Sequence, residues 1–83
     1  MDIEKQLRTI VDDSLSLRGR AADFTAQTPL LGAVPELDSM GVVAIIASLE
    51  DRLGLAVDDD EIDGSVFETW GSLLAFVRAK AGA

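Results

Sequence analysis

The sequence predicts an all-α fold: a small up-down bundle of three main helices plus one short helix, with a long first loop. Three observations predict it. Apolar residues recur at three- and four-residue spacing in three separate stretches. A residue able to cap a helix (Asp2, Asp38 or Thr69) stands just before each stretch. The connection from 18 to 37 keeps no period and is broken by Gly19, Pro29, Gly32 and Pro35. At 83 residues the chain reads as one domain, 1–83.

The first helix is predicted over 2–17. Ile3, Leu7, Ile10, Val11 and Ser14 form its inner face, with Glu4, Lys5, Arg8, Asp12 and Asp13 toward water. The loop after it is long for so small a domain unless it is pinned. Phe24, Leu30, Leu31 and Val34 are the residues expected to bury and pin it. The second helix is predicted over 39–53, ending at Gly54. Val42, Ile45, Ile46, Leu49 and Leu53 repeat toward the core, while Met40, Val43 and Ala47 share another face beside Ser39. The β-branched run there would also suit a strand, but the cap, the length and the Leu49/Leu53 spacing favour a helix. A short helix is expected near 59–64, with Ile62 inward. The last helix spans 69–81, with Trp70, Leu73, Leu74, Phe76 and Val77 in contact with the core. Ala81-Gly82-Ala83 reads as a frayed tail.

Composition excludes several functions. The formal charge of −8 disfavours nucleic acid and anionic membrane as partners and favours Lys/Arg patches. With no Cys there is neither a disulfide framework nor a Cys-based zinc site. With no His there is no Ser-His-Asp triad and no His metal ligand. No catalytic residue and no resident metal are therefore expected. Asp59, Glu61, Asp63 and Gly64 match the first half of an EF-hand loop, but Trp70 stands where its closing Glu should be. A solvated acidic edge is the simpler reading, with weak divalent-ion binding, as in a calcium-responsive module, the alternative. The N-terminus lacks the basic and apolar regions of a signal peptide, and no apolar run is long enough to span a bilayer. A cytoplasmic monomer, not inserted in membranes, is the expectation.

Asp38-Ser39 is the pair with chemical interest. Asp38 reads as an N-cap accepting from first-turn amides, with Ser39 as the first helical residue. Such a pair is common as a cap alone. A helix N-terminus also carries partial positive charge and free N–H donors, so a phosphodiester on Ser39 would be well placed.

Leu37-Asp38-Ser39-Met40-Gly41, followed by Val42-Val43-Ala44-Ile45-Ile46-Ala47-Ser48-Leu49-Glu50-Asp51-Arg52-Leu53, resembles the Asp-Ser-Leu/Met segment of acyl carrier proteins. Thr28-Pro29-Leu30 resembles the turn before it, and Val66 to Leu73 is similar to the run before the family's last helix. The resemblance implies 4′-phosphopantetheine on Ser39, with Asp38 as helix cap and recognition residue for a phosphopantetheinyl transferase. That transferase, using magnesium, would move the arm from coenzyme A. The thiol of the arm would carry an acyl group as a thioester for an acyl-loading ligase or synthase and for acyl-transfer enzymes. The chain itself would not be an enzyme. Lipid or surface-polymer biosynthesis would be its setting.

Carriers of this family hold partners through acids along the second helix. Here Gly41 and Ala44 stand at such positions, and Glu50 and Asp51 remain near the far end. The docking face implied is an apolar centre of Met40, Val43 and Ala47 with those two acids at its end. Glu36-Leu37-Asp38-Ser39 departs from the Gly-Gly-x-Ser of peptidyl carriers. A D-alanyl or other aminoacyl carrier stays open. Thr28 to Met40 and Val57 to Ile62 look most like free-standing acyl carriers associated with bacterial exosortase systems. The alternative from another class is an unmodified acidic helical adaptor, in which Ser39 only starts a helix.

Overall fold

The computed structural model describes residues 2–82 apart from the side chain of Asp59, so Ala83 of the expected tail lies outside it. Helix α1 spans Ile3–Leu15, α2 spans Ser39–Leu53 and α3 spans Trp70–Lys80. The all-α class predicted from the sequence is the one that forms. The fourth, short helix is only one 3-10 turn, Asp59–Glu61, not a helix reaching 64. A second 3-10 turn, Arg20–Asp23, lies in the connection from 18 to 37, where no helical period was read.

The Asp2 carboxylate accepts from the Lys5 amide at 3.1 Å and starts α1. The helix ends at Leu15 rather than 17 because Ser16 turns left-handed, at φ 55°. The amides of Ser16 and Leu17 then both close onto the Asp12 carbonyl. Leu7, Ile10, Val11 and Leu15 are buried. Ser14 is only half-buried, its hydroxyl 3.2 Å from that of Ser48 on α2.

Arg8 and Asp12 do not face water as expected. The Arg8 guanidinium lies 4.9 Å from the Trp70 ring centroid and donates to the Ala21 carbonyl at 2.6 Å. The Asp12 carboxylate accepts from the amides of Gly19 at 2.9 Å and Ala21 at 3.2 Å. The cause is the loop, which folds back over this side of α1 and brings it orphan backbone groups.

The rest of the loop is pinned against the start of α3. Leu30 and Leu31 donate to the carbonyls of Glu68 and Phe67 at 2.9 and 3.0 Å. The amides of Trp70 and Gly71 return to the carbonyls of Thr28 and Ala26 at 2.9 and 3.1 Å. Pairing of this kind sends adjacent side chains to opposite sides. Leu30 is therefore buried, and Leu31, expected inside, is 48% exposed. Phe24 packs on Trp70, ring centroids 5.7 Å apart.

Thr69 and Ser72 form a reciprocal capping box at α3, each hydroxyl accepting the other's amide at 3.1 Å. Trp70, Leu73, Leu74 and Val77 are the buried face of α3. They meet the apolar faces of α1 and α2 in one core, which Val66, Phe67 and Ile62 close from the side.

The five ion pairs among the described residues are Arg8–Glu4, Arg20–Glu36, Arg52–Asp13, Arg78–Glu4 and Lys80–Glu61. Exposed pairs contribute little each, about 0–1 kcal/mol. Repulsion among 15 acids facing 7 bases outweighs them. Monovalent salt should therefore raise the melting temperature, and magnesium should do so at lower concentration. A thermal melt across a salt series checks this; a flat or falling series would mean that the pairs win.

Candidate functional site

The N-terminus of α2 is built from three successive residues with different fates. Leu37 is 5% exposed, its amide held by the Val34 carbonyl at 2.9 Å. Asp38 is exposed and extended, φ −110° and ψ −169°, which aims its side chain back over the helix. Its Oδ1 accepts from the Gly41 amide at 2.8 Å, and its carbonyl accepts the Val42 amide at 2.9 Å. Ser39 follows at the first helical position and is exposed. First-turn amides of an α-helix have no intrahelical acceptor. Asp38 satisfies one of these, and among the described residues the amides of Ser39 and Met40 have no acceptor. Leu37 before the cap and Val42 in the helix are placed as a hydrophobic staple, which fixes the angle at which the chain enters α2. Leu37 was not among the expected loop pins, although that staple spacing was legible.

Met40 is 76% exposed and Val43 61% exposed, and Ala47 is exposed one turn further on. Glu50 and Asp51 are exposed near the C-terminal end of α2. Glu50 accepts the Val57 amide at 3.4 Å. Gly41, in contrast, is buried and does not belong to this surface. A Cβ there would sit 2.7 Å from both the Glu36 carbonyl oxygen and Leu15 Cδ2. Ala44 is half-buried. The two positions read from the sequence as places for docking acids therefore face inward, wholly or in part.

Glu36 pairs with Arg20 of the loop. Its own backbone amide first, and the Arg20 guanidinium second, hold the Glu36 carboxyl below the usual carboxylate range. This pair joins the loop to the segment entering α2.

The acidic stretch after α2 is not simply a solvated edge. Glu61 accepts from Lys80 Nζ at 2.8 and 2.9 Å, so Lys80 first and the Asp58 amide second lower its carboxyl pKa. Asp63 caps a turn by accepting the Ser65 amide at 2.9 Å, and Ser65 holds its carboxyl low. Among the described residues no group of three or more acids is gathered as a metal site. No described helix is long and apolar enough to cross a membrane.

The structure is thus a three-helix bundle whose α2 opens with an exposed serine beside a capping aspartate. No protein-family model matches the chain, and a search of curated proteins finds no match. Among solved structures, the chain is similar to the holo acyl carrier protein of Nitrosomonas europaea, determined in solution by NMR. The two are 46% identical over 100% of both chains, with a TM-score of 0.87. The chain belongs to the acyl carrier proteins. It is a carrier and not an enzyme.

Proposed function

We propose that this acyl carrier bears 4′-phosphopantetheine on Ser39 and presents its acyl cargo through the exposed face of α2. One observation carries the reading. Ser39 is exposed at the first position of α2, and the carboxylate beside it is engaged by the Gly41 amide. Asp38 therefore orders the helix end and leaves the serine hydroxyl to a partner. The residues fit the group: a phosphodiester on Ser39 would meet first-turn amides without an acceptor and the positive end of the helix dipole.

The chain offers no histidine to deprotonate Ser39. A phosphopantetheinyl transferase with magnesium would supply the base. Ser39 Oγ would form the new bond to phosphorus, the pyrophosphate link of coenzyme A would break, and 3′,5′-ADP would leave. When bound, the arm supplies a terminal thiol that holds an acyl group as a thioester. Tethering raises the effective concentration of that cargo at a docked enzyme.

Partners follow from the surface. Met40, Val43 and Ala47 would be desolvated by an acyl-loading ligase or synthase and by acyl-transfer enzymes. Glu50 and Asp51 would steer encounter with a basic rim. Val43→Glu should leave the melt nearly unchanged, because a charge at an exposed position stays in water. It should weaken a cognate partner at least tenfold. Glu50→Lys and Asp51→Lys should mainly lower the association rate and its salt dependence. A large drop in melting temperature for Val43→Glu, or binding governed by the two acids, would reject the apolar docking face.

The runs Thr28 to Met40 and Val57 to Ile62 support a free-standing carrier of the exosortase-associated kind. It would be a cytoplasmic monomer in lipid or surface-polymer biosynthesis. A D-alanyl or other aminoacyl cargo is the second reading, carried by Leu37-Asp38-Ser39-Met40-Gly41. The proposal is tested by intact mass after incubation with coenzyme A, magnesium and a transferase. A gain of one phosphopantetheine is expected. No gain with several transferases would leave an unmodified adaptor.

A further inference from the structure

The loop beside the attachment serine holds two of the seven basic side chains of a chain with formal charge −8. Arg18 and Arg20, with Ser16, Leu17 and Glu36, line an open groove of about 420 Å³. Arg20 is matched by Glu36. Among the described residues Arg18 has no ion-pair partner, so the groove keeps one uncompensated positive charge. Of the other cations only Lys5 is also without a described pair, and it lines a different groove beside Arg52 and Leu53.

The groove lies on the Ser39 side of the molecule. Glu36 precedes Ser39 by three residues, a span of at most ~11 Å even if extended. The amide of Asp38 turns back to the Glu36 carbonyl at 3.2 Å, which shortens it. Leu15, just before the groove residues, is the side chain nearest to Gly41 of α2. Arg18 itself is held at φ 57°, between Ser16 at φ 55° and Gly19 at φ 91°. This turn is secured from below by the Asp12 carboxylate on Gly19 and Ala21. The guanidinium therefore stands on a fixed base.

We infer that the Arg18–Arg20 groove binds a phosphate ester next to Ser39. The inference rests on Ser39 being the attachment point. Two sources share this chemistry: the phosphodiester of the arm once attached, and the phosphates of coenzyme A, or of the departing 3′,5′-ADP, during transfer. A guanidinium suits either, because its planar fork donates two parallel hydrogen bonds to phosphate oxygens. Of the two, Arg18 is the one free to do so without breaking a pair.

The test follows the arginine Nε–Hε resonances by NMR, in wild type and in Arg18→Gly. Glycine is at ease at a left-handed φ, so this variant removes the guanidinium without straining the turn. A melt confirms that it folds. The unmodified protein is titrated with 3′,5′-ADP, with sulfate as an anion control. The phosphopantetheinylated protein is compared without additions. A saturable shift of Arg18 and Arg20 on adding 3′,5′-ADP, with the response of Arg20 weakened at least tenfold in Arg18→Gly, assigns the groove to coenzyme A. A shift of Arg18 on attachment of the arm, with the nucleotide then excluded, assigns it to the phosphodiester. The inference is overturned if neither moves Arg18, or if sulfate reproduces the response equally at every arginine. Failure of the transferase to add mass would count against Ser39 alone, since the unmodified protein still reports on the groove.

Discussion

The Ser39→Ala protein should gain no mass with coenzyme A, magnesium and a transferase, while the wild type gains one phosphopantetheine. The effect is all-or-none, because the oxygen that would form the bond to phosphorus is gone. The fold should survive. Ser39 is exposed, the Asp38–Gly41 cap does not use its side chain, and alanine is the better helix former. Circular dichroism and a melt should therefore match the wild type within about 0.5 kcal/mol. The remaining serines serve as internal controls, and the structure gives several of them other work. Ser14 and Ser48 face each other between α1 and α2, and Ser72 completes the α3 capping box. Ser16 is in a left-handed turn, and Ser65 is held by Asp63. Label on any of these in Ser39→Ala would remove Ser39 from its role.

Gly41→Ala should destabilise the domain, against what helix propensity alone dictates. In a helix interior, alanine is favoured over glycine by about 1 kcal/mol. At Gly41 the new methyl would meet a backbone oxygen and a leucine methyl, both at 2.7 Å. The leucine could rotate, but the Glu36 carbonyl belongs to the backbone that enters the helix. Overpacking of this kind costs about 1–3 kcal/mol. A net loss of up to about 2 kcal/mol is expected, or up to roughly 8–16 °C in melting temperature for a domain of this size. Gly64→Ala is the matched control. Nothing lies within 4 Å of a Cβ there and its φ is ordinary, so it should be neutral or slightly stabilising. Equal melting of the two variants would show that the helix end moves to admit the methyl. The Gly41→Ala protein should also present Ser39 poorly, since relief of the clash pushes α2 away from the Glu36 segment.

Much of this molecule was legible in the chain because much of it is local. A helix start needs only a side-chain oxygen and an amide three residues on. Asp2 with Lys5, Asp38 with Gly41 and Thr69 with Ser72 satisfy that condition within one turn. The bounds 39–53 of α2 were readable for the same reason, with Asp38 at one end and left-handed Gly54 at the other. The exposure of Met40, Val43 and Ala47 followed from their angular separation from Ile45 and Leu49.

The misreadings share a different cause. Arg8 and Asp12 lie on the polar face of α1, and periodicity assigns such residues to water. They turn instead to a loop that returns over them, and no pattern within 2–17 announces that return. Leu30 and Leu31 are equally apolar, and only pairing with residues 67–71 decides which one is buried. Gly41 reads as a position where carriers of this family hold an acid until Leu15 and Glu36 are brought against it. Arg20 and Glu36 are sixteen residues apart, and their pairing depends on the path of the loop. Capping and periodicity act within one or two turns of chain, so the sequence alone determined where the helices start and which faces they bury. Loop path, close packing at a glycine and pairing across the loop join groups distant in sequence. Those contacts form only once the helices have packed, and the tertiary structure alone decided them.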